Sequence, residues 1–341
     1  MRRRQILSAL PLALASPGSA GAAEPRPSLR VAVPRLPDRL DPMAAVSIAA
    51  FRALCSIFDP LVAMDDAEGQ LSLRPALALA WRRVDARTLE FDLRAGVRFH
   101  DGSELTADDV AFTFGPERLT GPQPHWPAGL AFFGNLDRVE AVDRLRVRVV
   151  SRSPDPALLF RFATGTAQIV SRRAWLAAGS IDAWSRRPIG TGPFRVSGFR
   201  IDNALELAAF DDYWGGAPNA ARVVFTEIRE VAARVAALRG GDTDIAAELP
   251  PDQLPPIEAA PGLGVTGGPI ANYLMVVMDK TNPVLADARI RRALSLAIDR
   301  QAIIDGLWGG RVDIPHGHQW AEYGPLFIPD APAPRFDPDD A

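Results

Sequence analysis

Beyond an N-terminal leader, Leu29, Val31 and Val33 alternate with Arg30, Ala32 and Pro34, the period-two pattern of a strand. The run PRLPDRLDP then breaks the pattern with prolines and predicts a loop. Residues 48–62 are apolar enough for a buried helix, and Leu89, Phe91 and Leu93 alternate with charged residues as a half-buried strand. Arg94-Ala95-Gly96 turns that strand into Val97-Arg98-Phe99. Thr106, followed three residues later by Asp109, predicts a helix start in which the hydroxyl satisfies a free N–H and the carboxylate favours the positive helix end. Leu145, Val147 and Val149 read as another strand, Asp155-Pro156 as a helix start, and Leu205 and Leu207 as one more strand. VVFTEI passes from strand to the helical EVAARVAALR, with Val231, Val235 and Leu238 on one face and Gly240-Gly241 at its end. YLMVVM is strand-like, and a helix over 287–297 places Ile290, Leu294 and Ala297 on one face. Asp299 restarts a turn that runs to Gly309-Gly310, and the proline-rich C-terminus carries no closing element. Strands and helices are mixed throughout, which predicts an α/β protein.

At 341 residues and 48% hydrophobic composition, the chain can bury a substantial core and is long enough for two domains. Arg2, Arg3 and Arg4, the apolar run from Ile6 to Ala15 and the small residues Ala20-Gly21-Ala22 describe an export signal over residues 1–23. That run is too short to span a bilayer, and no later stretch reaches the roughly 18 apolar residues that spanning needs. Arg3-Arg4 fits a twin-arginine signal as well as an ordinary secretory one, so both export routes stay open. Cys55 is the sole cysteine, which rules out an intrachain disulfide, and its neighbours Leu54, Ile57 and Phe58 predict burial. It also lies too far from the cleavage region to bear a lipid. The net charge of −3 becomes −6 without the three leader arginines, 35 basic residues against 41 acidic, which disfavours nucleic acid and anionic membranes as partners.

Candidate chemistry is sparse. GLGVTGG at 262–268 satisfies the letter of a dinucleotide fingerprint, but proline-rich sequence precedes it and no helix pattern follows. His316 and His318 could offer two imidazoles to a metal, yet no third ligand is evident. There is no nucleophile elbow and no zincin motif, and paired carboxylates such as Asp108-Asp109 are adjacent rather than spaced for acid and base roles. The pair His100-Asp101 sits between a strand end and a capped helix, where Asp101 can accept turn N–H groups and His100 can bond to nearby backbone. That reading is structural.

The segment RPALALAWRRVDARTLEFDLRAGVRFHDGSELTADDVAFTF resembles the signature of the family 5 extracellular solute-binding proteins, the peptide/nickel-type binding components of ABC importers. The likeness runs through Pro75, Leu77, Trp81, Phe91, Leu93, Arg94, Gly96, Val97, Phe99, His100, Asp101, Gly102, Leu105, Thr106, Ala107, Asp109 and Val110. Leu40-Asp41-Pro42, Gly190-Thr191-Gly192-Pro193-Phe194, Asp212-Tyr213-Trp214, Leu238-Arg239-Gly240-Gly241 with Asp244-Ile245, and RIRRALSLAIDRQAII follow in the family's order.

The resemblance implies an α/β fold, the two-lobed type II periplasmic binding protein of the cluster C kind, with an extra subdomain in lobe I. Lobe I is expected from residues 24–54 and 186–268, the extra subdomain from 55–185, and part of lobe II from 269–341. Family chains normally continue well past FDPDDA, so a C-terminally incomplete second lobe is expected, with an unpaired edge and exposed apolar surface, and with poor solubility or low order after about Met278. A natural truncation, a fragment and a frameshift product all stay open. The implied function is that of a periplasmic, non-enzymatic component that binds oligopeptide- or dipeptide-like solutes and delivers them to the transmembrane subunits of an ABC permease. No cofactor, no metal and no nucleic acid partner are expected, and the protein is expected to be monomeric. Nickel-chelate, haem, opine or sugar binding by the same fold is the alternative, with a periplasmic hydrolase or an inactive fragment as rivals of another class. Expected ligand contacts are Asp41, Met43, Glu248, Asn272, Tyr273 and Trp320. Their rivals are Asp41 as a turn former, Tyr273 as strand packing and Trp320 as a core cover.

Overall fold

A computed structural model describes residues 26–44, 48–65, 72–120, 126, 129–267, 274–314, 328 and 334–341. Strands in chain order are β1 (Ser28–Val33), β2 (Val62–Asp65), β3 (Ser72–Pro75), β4 (Ala78–Arg83), β5 (Thr88–Leu93), β6 (Leu136–Asp143), β7 (Arg146–Ser151), β8 (Phe194–Arg200), β9 (Ala204–Ala209), β10 (Arg222–Glu227) and β11 (Ile245–Ala246). They form a five-stranded sheet ordered β11-β1-β10-β9-β8, a four-stranded sheet ordered β4-β5-β7-β6, and the hairpin β2-β3. In the first sheet β1 runs parallel to both β10 and β11, so the chain returns twice to its opening strand from about 200 residues away. The second sheet is antiparallel throughout.

Each sheet covers its own core. Leu77, Leu89, Phe91, Val97, Phe99, Leu105, Val110, Phe114, Phe133, Val147, Val149 and Phe162 fill the one under β4-β5-β7-β6. Phe114 lies 5.0 Å from both Phe133 and Phe162, with ring angles of 57° and 81°, the tilted and edge-on arrangements that aromatic quadrupoles favour. Most of the apolar positions of the signature segment are spent here. The other core gathers Val31, Val33, Leu36, Leu40, Leu54, Leu205, Leu207, Val223 and Phe225. Ile57, Phe58, Val170 and Trp184, all from within residues 55–185, also pack in this second core.

The helix expected over 48–62 ends at Leu54. After it, turn bonds such as Ser56 N–H to the Ala53 carbonyl free residues 56–58 to pass along the GTGPF loop, where Gly192 N–H donates to Ile57 O (2.9 Å) and Phe194 N–H to Ser56 O (2.9 Å). The same turn inserts Ala53, Leu54, Ile57 and Phe58 into the core and leaves Cys55 exposed, contrary to the burial its apolar neighbours predict. Asp155 behaves as a turn acceptor for Ala157 N–H (3.0 Å), and the helix that follows begins only at Leu158. The expected strand over YLMVVM is absent from 274–278, which lack regular structure; Leu274 is 86% and Val277 81% exposed. A strand needs a hydrogen-bonded neighbour, and among the described residues none lies beside this run. The helix expected over 287–297 forms as Ala288–Leu296, capped by Asp287, but its Ile290 and Leu294 remain exposed; the run from Asp299, expected as a turn, is helix Arg300–Trp308, capped by Asp299.

The capping box at Thr106 and Asp109 is present, and Asp109 also accepts from Arg172 N–H (3.0 Å), which draws helix Arg172–Ala177 against helix Ala107–Thr113. His100 lies at the seam between the two cores. Its N–H donates to Gly190 O (2.9 Å), its Nδ1 accepts from Gly190 N–H (3.3 Å), and its Nε2 donates to Gly192 O (2.9 Å). The ring stands edge-on to Phe210 at 5.1 Å. Asp101 is occupied by Ser103 and by Arg173 (2.6 Å).

Burial holds His100 neutral, with its pKa pushed from 6.5 down to about 4. The unfolded chain takes up this proton first, so the contribution of His100 is fully present above about pH 6.5 and is lost as pH falls toward 4. We expect this to remove about 2–3 kcal/mol over that window. In the His100→Gln variant the drop in urea midpoint between pH 7 and pH 4.5 should be correspondingly smaller, and identical drops in both proteins would refute the assignment.

Candidate functional site

In open α/β sheets ligands bind outside the carboxyl ends of the parallel strands. Here three connections leave that edge. Loop 34–44 follows β1, the turn 228–230 joins β10 to helix Val231–Gly240, and Ala247-Glu248 follows β11. Glu227 at the end of β10 anchors the first connection by accepting Leu36 N–H (2.9 Å). Burial pushes the Glu227 carboxyl up, but the Leu36 N–H and the Arg229 guanidinium outweigh it and hold the group below its usual range.

Loop 34–44 joins the two cores, with Leu40 in one and Met43 in the other. Between them lies Asp41, fully buried, whose carboxylate accepts two bonds from Arg118 Nη2 (2.9 and 3.1 Å), one from Trp184 Nε1 (2.9 Å) and one from Met43 N–H (3.0 Å). Arg118 is fully buried as well, in a single π-helical turn over Pro116–Thr120. Asp41 and Met43, expected as ligand contacts, thus point inward. Proline at 42 and the Asp41 side-chain turn set the local backbone, but the partners Arg118 and Trp184 lie 77 and 143 residues away.

Glu248 faces outward. Its carboxylate pairs with Arg52 on helix Ile48–Leu54 at 2.7 Å, with side-chain exposures of 40% and 37%. The Glu248 backbone is left-handed, φ 55°, a conformation that costs a non-glycine residue roughly 1–2 kcal/mol and survives only where the surroundings impose it. Arg234 imposes it. This guanidinium, 2% exposed, donates from Nη1 to Ile228 O and Arg229 O (both 2.7 Å) and from Nη2 to Glu248 O (3.2 Å). The ends of β10 and β11 are thereby tied through one side chain. Sequence reasoning missed Arg234: the apolar face expected for its helix, Val231, Val235 and Leu238, is only half-buried, and the buried residue is the arginine.

A further buried carboxylate, Asp59, lies at the seam with His100. It accepts from Thr191 Oγ1 (2.8 Å), Tyr213 OH (3.0 Å) and Trp214 Nε1 (2.9 Å), so the GTGPF and DYW segments meet on it. Burial pushes its pKa up against those three donors. Arg94 stacks over Trp214 at 4.6 Å. These motif residues hold the sheets together. Residues 261–267 of the glycine-rich run carry neither strand nor helix, so the fingerprint's framework is missing there. Among the described residues no group of three His, Cys, Asp or Glu is placed to hold a metal. Asn272, Tyr273, Trp320, His316, His318 and the leader lie outside the described residues.

Residues 72–341 match the family described as bacterial extracellular solute-binding proteins, family 5 Middle. Di/tripeptide-binding protein 3 of Pseudomonas aeruginosa is 30% identical over 278 residues, 75% of this chain and 51% of its own. The ABC transporter-associated periplasmic binding protein DppA of Helicobacter pylori, in complex with the peptide STSA, superposes with a TM-score of 0.77 at 22% identity, over 92% of this chain and 64% of that one. NikZ of Campylobacter jejuni, in complex with Ni(L-His), gives 0.75 at 22% identity, over 92% and 61%. At such identity these two speak for the fold, that of the type II periplasmic binding proteins. The chain spans about half the length of the curated relatives it matches. On the match over residues 72–341, this chain belongs to the bacterial extracellular solute-binding proteins, family 5.

Proposed function

We propose that the carboxyl edge of β1, β10 and β11 forms the first-lobe wall of a solute site, in the periplasmic binding component of an ABC importer, and that the solute is a di- or oligopeptide. The Arg52–Glu248 pair carries this reading: a part-exposed ion pair at the end of the parallel strands, on backbone held in a strained conformation from behind. A peptide zwitterion brings an ammonium and a carboxylate, which can exchange partners with that pair without leaving either charge bare. The names of the relatives support a peptide, since one is a di/tripeptide-binding protein and one structural neighbour holds STSA. Asp41 and Met43 brace the wall from inside, Asn272 hydrogen-bonds a peptide group, and Tyr273 and Trp320 stack against the solute. The leader exports the chain, which acts as a monomer without catalysis and hands its solute to the permease.

Calorimetric titration with the dipeptide Ala-Ala tests the reading. Glu248→Gln and Arg52→Gln should each weaken binding about tenfold, equivalent to 1.4 kcal/mol, with little change in melting temperature. Affinity unmoved by both changes would remove the pair from the site. Binding of Ni(L-His) but not of Ala-Ala would transfer the reading to a metal chelate.

A further inference from the structure

The five-stranded sheet has a second edge. β8 is the last strand on the side opposite β11, four strand spacings or roughly 19 Å from β11 and two spacings from β10. Against β8 lies a shallow basin of about 550 Å³, within the range of small-molecule sites. Its lining includes buried Pro188, half-buried Ile189 and Val196, whose side chain packs in the core, together with the exposed residues Arg187 and Arg195. Neither arginine has an ion pair or hydrogen bond from its side chain to any described residue.

Exposed Arg87, Arg152, Arg172, Arg186 and Arg292 also lack a side-chain partner among the described residues, and what sets Arg187 and Arg195 apart is that both line one basin. Other exposed arginines are neutralised. Arg30 pairs with Asp244, Arg146 with Asp92, Arg173 with Asp101 and Arg222 with Glu206. The one carboxylate lining the basin, Asp101, is already engaged by Arg173 and Ser103 and does not serve Arg187 or Arg195. Two uncompensated guanidinia around an apolar floor form a receptor for an oxyanion that carries some carbon, because the planar donor fork matches carboxylate and phosphate oxygens.

We propose that this basin binds a small organic dianion between Arg187 and Arg195, at a site separate from the peptide wall. The ligand class is a di- or tricarboxylate, or a phosphorylated molecule of similar size. The neighbouring imidazole reports on occupancy, since the Arg195 charge helps keep His100 deprotonated and an anion placed on Arg195 would relieve that effect.

The probe is citrate, titrated into the full chain at constant ionic strength, with sodium chloride and inorganic phosphate as parallel arms. Calorimetry reads binding, and the His100 ring protons read protonation by NMR near pH 4.5. The expected result is one saturable citrate site, a rise in the His100 titration midpoint, and at least a tenfold loss of affinity in Arg187→Gln/Arg195→Gln. Saturation by phosphate alone would assign the site to inorganic oxyanions and overturn the organic part of the proposal. A response reproduced by sodium chloride, or unchanged in the double variant, would overturn the whole. So would a double variant whose main defect is self-association, since arginines at an open strand edge also discourage edge-to-edge pairing.

Discussion

Gly190→Ala is expected to lower stability by at least about 3 kcal/mol and to separate the GTGPF loop from residues 56–58. A Cβ built on Gly190 would lie 2.1 Å from the Ile57 carbonyl oxygen and 2.7 Å from Phe58 Cδ1; one on Gly192 would lie 2.5 Å from Ile57 C and 2.8 Å from Phe58 N. Neither glycine has a positive φ, so the requirement is for space, not for conformation. The backbone in the way cannot yield, because it is hydrogen-bonded to this loop and forms the floor of a core. On its other side the loop is gripped by His100 through the bonds to Gly190 and Gly192. Gly198→Ala is the control. Its Cβ would meet only the Glu206 side chain at 3.5 Å, an ordinary contact, and alanine there should change stability by less than about 1 kcal/mol. Urea unfolding followed by circular dichroism separates the two cases. Equal midpoints for Gly190→Ala and the parent would show that the 56–58 contact is looser than described.

Asp41→Ala should cost about 3–5 kcal/mol, the range for removing one partner of a buried ion pair. The cost comes chiefly from Arg118, left charged in a fully buried position where Nε and Nη1 already have no partner. The Trp184 indole N–H would lose its acceptor too. Asp41→Asn keeps an acceptor but not the charge and should fall between the parent and Asp41→Ala. The diagnostic variant is Asp41→Leu/Arg118→Met, which removes both charges and should recover much of the loss, since apolar replacement of a whole buried pair is often tolerated. A double variant as unstable as the sum of the two single changes would mean that the pair is not coupled.

The two variants probe one property from different sides. Loop 34–44 and the GTGPF loop are where the two cores meet, and the first also lines the carboxyl edge proposed to hold the solute. Weakening either junction is therefore expected to degrade the solute wall. Glu248 and Arg52 lie outside both cores, so their replacement should reduce affinity while leaving the fold intact.

Local pattern determined β1, β5, β7, β9 and β10, the capping box at Thr106, the helix that starts at Asp287, and the glycine stop at Gly241. Those features depend on neighbours a few residues apart, through the period of side-chain direction and the hydrogen bonds of helix ends, so they are present in the order of residues. The scaffold reading of His100-Asp101 was legible for the same reason. What tertiary structure alone decided is how charge and exposure are distributed. Leu40-Asp41-Pro42 reads as a turn at a ligand loop, but Asp41 is enclosed because Arg118 and Trp184 close over it from distant elements. Cys55 looks buried from its neighbours and is exposed because the helix ends one residue earlier. YLMVVM has the composition of a strand, yet pairing is a property of two segments, and only one of them is written in that run. Arg234 carries no sequence mark of its role, since a guanidinium enclosed by three carbonyls requires the ends of two separate strands to arrive together. Burial of a polar group is set by what folds over it, and that information is spread along the whole chain.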